Sequence, residues 1–161
     1  MKYTISIEQD LEPLNPREEF DNLGTMACEH PKYNLGDSNL QGREPSKGNI
    51  SLPLYSYDHG GITISTTPFS CKWDSSRIGS IFVSKEKIYK EWGVKRISKT
   101  LRRKVIDILQ NEVKLYDDYL TGNVWGYVIR NENNEEVDSC WGFFGDKKYC
   151  MEQAKASLCT L

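Results

Sequence analysis

The spacing of hydrophobic and polar residues changes period several times along this chain, and each change marks a predicted element. Tyr3 to Ile7 alternates around β-branched residues and predicts a first strand. Ser51 to Tyr57 and Ile62 to Ser65 predict two more, joined by Asp58-His59-Gly60-Gly61, whose glycines tolerate the positive φ of a hairpin turn. Ile78 to Val83 predicts another strand. Ser84 is placed to cap a short helix through Trp92, which Gly93 ends. Ser98 then opens the strongest helix, running to about Leu120. Its apolar residues at 101, 105, 108, 109, 113, 116 and 120 form one stripe, while Lys99, Arg102, Arg103, Lys104, Asp107 and Lys114 form the other face. Gly122 supplies the stop. Val124 to Arg130 and Val137 to Phe143 predict an aromatic-rich hairpin around Asn131-Glu132-Asn133-Asn134. A helix over about Lys148 to Leu158 closes the chain.

One stretch breaks this regularity. Asp10 to Asn49 holds prolines at 13, 16, 31 and 45 and glycines at 24, 36, 42 and 48, with little periodicity. It reads as an irregular segment with a short helix at Pro16–Phe20, where proline would occupy the first helical turn. A loop of that length is uncommon within a domain unless it is functional or tied down. The element order predicts an α+β fold: a mainly antiparallel sheet of hairpins, covered by one long helix and two shorter helices, in a single domain over 1–161.

Composition narrows the function classes. The chain has 161 residues, 38% hydrophobic and 27% charged, with four Trp, nine Tyr and five Phe, which is enough apolar surface for a packed core. No apolar run is long enough to span a membrane. The first residues reach charge too early for a signal peptide. Five cysteines without framework spacing point to a reducing, cytoplasmic setting. A net charge of -2 fits neither a strongly basic nucleic-acid protein nor a mimic of DNA charge, so direct DNA binding is not expected. The distribution is uneven: residues 72–114 carry 12 basic and 5 acidic groups between two acidic flanks.

Two groups of residues carry candidate chemistry. The first is Cys28 and His30, which share a side if their segment is extended. With His59 in the 58–61 turn, Cys71, Asp21 and the nearby Asp37 and Asp58, they form a candidate ligand set for zinc (Zn2+), drawn from the residue types that zinc takes tetrahedrally. A bound metal would also explain how Asp10 to Asn49 is ordered. The competing account is a buried Cys28 and two hydrogen-bonded turn histidines. A nucleophilic Cys71 would need His30 or His59 as its base. Cys140, in an aromatic strand, reads as core. The pairs Glu18-Glu19, Asp117-Asp118 and Glu135-Glu136 diverge on any regular element. Asp117 and Asp118 end the long helix, where its dipole disfavours them, and solvent exposure is the simplest account. The chain has no P-loop, dinucleotide, nucleophile-elbow or zinc-protease motif.

The second group is the run from Lys95 and Arg96 through Lys99, Arg102, Arg103 and Lys104. Interleaved apolar residues put it across a helix N-terminus, where positive charge opposes the helix dipole. Helix stability therefore does not explain the run. Contact with phosphates or with an acidic protein surface does, against the alternative of a solvated helix face.

Several segments together resemble a known group. They are Phe20-Asp21-Asn22-Leu23-Gly24-Thr25-Met26 through Cys28, His30 and Tyr33-Asn34-Leu35-Gly36-Asp37; Leu52-Pro53-Leu54-Tyr55 and Tyr57-Asp58-His59; Gly61 to Cys71; Val83 to Lys87; and Tyr119-Leu120-Thr121-Gly122 with Asp138-Ser139-Cys140-Trp141-Gly142-Phe143. Over about residues 18–145 the chain resembles small accessory proteins of bacteriophages, prophages and other mobile elements. The resemblance lies in segments, not in an active-site motif. It implies an inhibitor of host defence in the host bacterial cytoplasm, foremost an anti-CRISPR protein that binds a type II effector nuclease and blocks guide or target DNA access. The implied partners are that nuclease and its guide RNA. The alternative is a metal-dependent hydrolase acting on nucleic acid or a signalling nucleotide, with Asp21, His30, Asp58 and His59 holding the metal.

Overall fold

The computed structural model describes residues 2–37 and 45–161. In chain order the elements are β1 (Thr4–Gln9), α1 (Pro16–Glu19), β2 (Thr25–Cys28), β3 (Ile50–Asp58), β4 (Ile62–Ser65), β5 (Ser75–Val83), α2 (Lys85–Trp92), α3 (Lys99–Thr121), β6 (Val124–Arg130), β7 (Glu136–Phe144) and α4 (Lys147–Leu158). The fold is α+β with antiparallel pairing throughout, as the hairpin pattern predicts. Its strands divide between two sheets, of order β1-β6-β7 and β2-β5-β3-β4. The chain forms two compact units: Pro16–Asp117, and Met1–Asn15 with Asp118–Leu161. Among the described residues no helix is long and apolar enough to cross a membrane.

The unit of Pro16–Asp117 is built on the four-stranded sheet. The β3–β4 hairpin pairs Tyr55 with Ser65 and Asp58 with Ile62. Because β4 reaches only that half of β3, Pro53 lies where one side of its strand has no partner, a position that tolerates a missing amide proton. Strand β5 pairs with both β3 and β2. Gly79 is required there, since a Cβ on it would stand 1.9 Å from the Ala27 carbonyl oxygen. The caps of α2 are those expected: the Ser84 side chain accepts from the Lys87 amide, and Gly93 closes the helix at φ 63°.

Strand β2 lies inside the stretch expected to be irregular over 10–49, of which residues 38–44 fall outside the described residues. Its order comes from buried charge rather than from hydrophobic period. Arg17, at the start of α1, has a side chain only 2% exposed. Its Nε donates to Asp37 Oδ1 at 2.8 Å and its Nη2 to Asp37 Oδ2 at 3.0 Å. Nη1 reaches Glu112 Oε2 of α3 at 3.2 Å, and Nη2 also donates to the Gly24 carbonyl at 2.8 Å. Both carboxylates have further work. Asp37 accepts the Met26 amide at 2.8 Å, and Glu112 accepts the Leu23 amide at 2.6 Å and the Gly24 amide. Gly24 has no room for a Cβ, which would lie 2.5 Å from Leu109 Cδ2 and 2.8 Å from Ile81 Cγ1.

Helix α3 is fixed to both edges of this sheet. Glu112 holds the residues entering β2. One helical turn later, Asp117 Oδ1 accepts the Thr63 hydroxyl at 2.6 Å and the Ile64 amide at 2.8 Å on β4. Val105, Leu109, Val113 and Tyr116 are its buried stripe. The expectation that Asp117 and Asp118 are solvent-exposed is corrected. Asp117 satisfies an edge strand, and Asp118 is 6% exposed and accepts from Asn123 Nδ2 at 2.8 Å.

In the other unit, α4 covers one face of the β1-β6-β7 sheet. Tyr127, Ile129, Cys150 and Ala154 form its buried cluster, with Ile5, Ile7, Trp125 and Phe143 packed around it. Asp146 caps α4 by accepting from the Lys148 and Tyr149 amides. Cys140 is exposed rather than core, because β7 is the edge of its sheet.

Arg17→Ala leaves two carboxylates without their shared cation, and loss of one partner of a buried ion pair costs about 3–5 kcal/mol. A urea unfolding curve for Arg17→Ala is expected to show a midpoint lowered accordingly. An unchanged midpoint would contradict the role given to this cluster.

Candidate functional site

The zinc set predicted from sequence is not brought together as a whole, although His59 and Cys71 both approach Asp74. Strand β2 ends at Cys28, so the side-sharing rule for residues i and i+2 lapses before His30. Cys28 is buried at 3% exposure, and burial, aided by the Asp37 charge, pushes its thiol up to about 12. Asp21 lines a cleft of about 220 Å³ with Lys87, Glu91 and Trp92. His30 serves a turn: its Nδ1 accepts the Lys32 amide at 3.1 Å and the Tyr33 amide at 3.2 Å. His59 Nδ1 lies 3.5 Å from Asp74 Oδ2, and Cys71 Sγ is 4.0 Å from the same oxygen. His30, Asp58 and Asp74 border another cleft, of about 240 Å³, beside the 96% exposed Trp73. Among the described residues no group of three or more His, Cys, Asp or Glu could hold a metal ion. The account with a buried Cys28 and a hydrogen-bonded turn histidine describes these positions. Asp21, His30, Asp58 and His59, the ligands of the hydrolase alternative, form no metal-holding group among the described residues.

The basic run has a different outcome. Lys95, Arg96, Lys99, Arg102, Arg103 and Lys104 are all exposed. Among the described residues none of them forms an ion pair with a carboxylate, whereas Arg17, Lys32 and Arg130 do. The Ser98 hydroxyl accepts the Leu101 amide at 3.1 Å, so α3 starts at Lys99 as its cap predicts. Its first turn contains no acidic residue. Four uncompensated charges therefore stand on the first two turns of α3, at the positive end of a 23-residue helix.

The six residues divide by position. Arg96, Lys99 and Arg102 border a cleft of about 290 Å³ together with Lys85, Tyr89 and Ser98. Lys104 instead places its ammonium 5.9 Å from the centre of the Trp92 ring. Lys85 and Tyr89 come from α2 and were not singled out from sequence. Only the turn that folds α2 back toward the start of α3 makes them neighbours of the run. Among the described residues no carboxylate borders this cleft. It differs in that from the cleft of Asp21 and Lys87, where the lysine Nζ is spent on the carbonyls of Asn22 at 3.0 Å and Leu23 at 2.8 Å.

No family model, curated protein or solved structure matches this chain.

The thiols separate by environment. Cys71 is half-buried and Cys140 and Cys159 are exposed, while Cys28 and Cys150 are buried. In native protein at pH 8 a thiol reagent followed by peptide mapping should label Cys140 and Cys159 readily and leave Cys28 unlabelled until urea is added. Cys28 labelled as fast as Cys159 would contradict its placement. The folded thiol titrates above its ordinary value of 9.0, near 12, so its contribution to stability is complete below pH 9 and fades as the pH rises toward 12.

Proposed function

We propose that the protein acts by binding, through the cationic face of residues 95–104, and that its partner is a host defence nuclease. In this reading it is a phage or mobile-element inhibitor of the anti-CRISPR kind. It docks on a type II effector nuclease and blocks access of guide or target DNA. The observation that carries the reading is the set of six exposed cations, none of them paired to a carboxylate among the described residues. Charge without an internal partner, held at the disfavoured end of a helix, is available to an anionic surface. The resemblance of residues 18–145 to mobile-element accessory proteins supplies the class of partner. A binding role asks only for a presented surface, and α3 presents this one from a rigid mount: Glu112 and Asp117 fasten the same helix to its sheet.

Inhibition by binding is stoichiometric. With purified, guide-loaded type II nuclease, DNA cleavage should fall to near zero as the protein reaches a one-to-one ratio. The variant Arg102→Ser/Arg103→Ser/Lys104→Ser should need at least about tenfold more protein and show a flatter salt dependence. Full cleavage at excess protein, or a triple variant as potent as the parent, would contradict the reading.

A further inference from the structure

We infer that the cleft between α2 and the start of α3 is a phosphate-binding site, and that the phosphates it takes belong to a nucleic-acid backbone. The inference rests on the binding role proposed above and specifies its chemistry: this part of the face reads phosphodiesters rather than carboxylates of a protein surface. Lys85, Arg96, Lys99 and Arg102 converge on one cleft of about 290 Å³ from three successive stretches of chain, α2, the link before α3, and α3 itself. Among the described residues no acidic side chain borders it, and none of the four cations has an ion-pair partner. Cations converging on a concave space repel one another, and each gains when an anion enters between them.

The kind of anion follows from the donors. Two guanidinium groups offer planar forks that match the oxygens of phosphate, and two ammonium groups add point charges around it. Ser98 and Tyr89 also line the cleft. Arg103 and Lys104 continue the charge beyond the cleft along α3. Lys99 and Arg103 are four residues apart, about 6 Å along a helix axis and on one side of it, so the face offers charge to a chain of phosphates and not to one alone. The half-buried Tyr89 ring provides an apolar wall of the sort that nucleic-acid strands use beside their phosphates.

Labelled protein would be titrated by two-dimensional amide NMR with inorganic phosphate and with a six-nucleotide single-stranded RNA. Sodium chloride of equal ionic strength is the control. Saturable shifts confined to residues 85–102, with the RNA binding at least about tenfold more tightly than phosphate, are expected. Lys99→Gln/Arg102→Gln should lose that binding about tenfold or more while keeping the dispersed spectrum of the folded chain, and Lys155→Gln should not. Equal affinity for phosphate and RNA would overturn the nucleic-acid assignment and leave a site for free phosphate. Shifts no larger than those of chloride would overturn the site altogether. The cleavage assay on the same samples separates the two claims. A protein that inhibits the nuclease but binds neither probe keeps the proposed function and loses this inference. One that binds RNA but leaves cleavage untouched loses the nuclease as partner and keeps the site.

Discussion

The guanidinium of Arg17 is the constraint on which the unit of Pro16–Asp117 depends. It is almost wholly out of solvent, and its donors go to Asp37, Glu112 and the Gly24 carbonyl. Removing such a charge from water is costly, and the cost is offset only by near-complete pairing. The pairing here draws in three separate stretches of chain. Asp37 and Glu112 then accept the amides of Met26, Leu23 and Gly24, so the same charges that neutralise Arg17 also settle the backbone entering β2. The residues leading from α1 into β2 thus acquire a fixed path without a hydrophobic stripe of their own.

This use of charge sets off the cations of the basic run, which among the described residues meet no carboxylate. On α3, Glu112 and Asp117 each meet backbone amides, and Asp118 meets Asn123. Among the described residues the cations at the opposite end of the helix meet no carboxylate. The charges that hold α3 to its sheet and those without a carboxylate partner among the described residues thus occupy different stretches of one element. Its acidic C-terminal half secures it, and its basic N-terminal half is presented outward. A helix with acids near its C-terminus and bases near its N-terminus runs against the dipole at both ends. Hydrogen bonds to the sheet compensate the first mismatch, and an anionic partner is the compensation proposed for the second.

What could be read from the sequence was local. The caps Ser84 and Gly93, the stripe of α3 and the two hairpins depend on residues within a turn or two of each other, and the structure has them as expected. The run at 95–104 was legible for the same reason. Strand β2 was not, because four residues carry too little alternation and its partner strand lies far along the chain, with Met26 opposite Ile81. Arg17 was invisible as a hub, since its carboxylates are 20 and 95 residues away. Lys85 and Tyr89 joined the candidate site only through the turn between α2 and α3. Cys28 and His30 were read as a pair on the premise of a continuous extended segment, and the end of β2 between them removes the premise.

The central claim is that the cations at the start of α3 serve a partner and not the fold. Urea unfolding of Lys99→Gln/Arg102→Gln at low salt tests it directly. If the charges have no internal use, relieving their conflict with the helix dipole should raise the stability of the free protein, by about 0.3–1 kcal/mol per charge. A fall in stability of similar size would mean that these side chains hold the structure together, and would contradict the account.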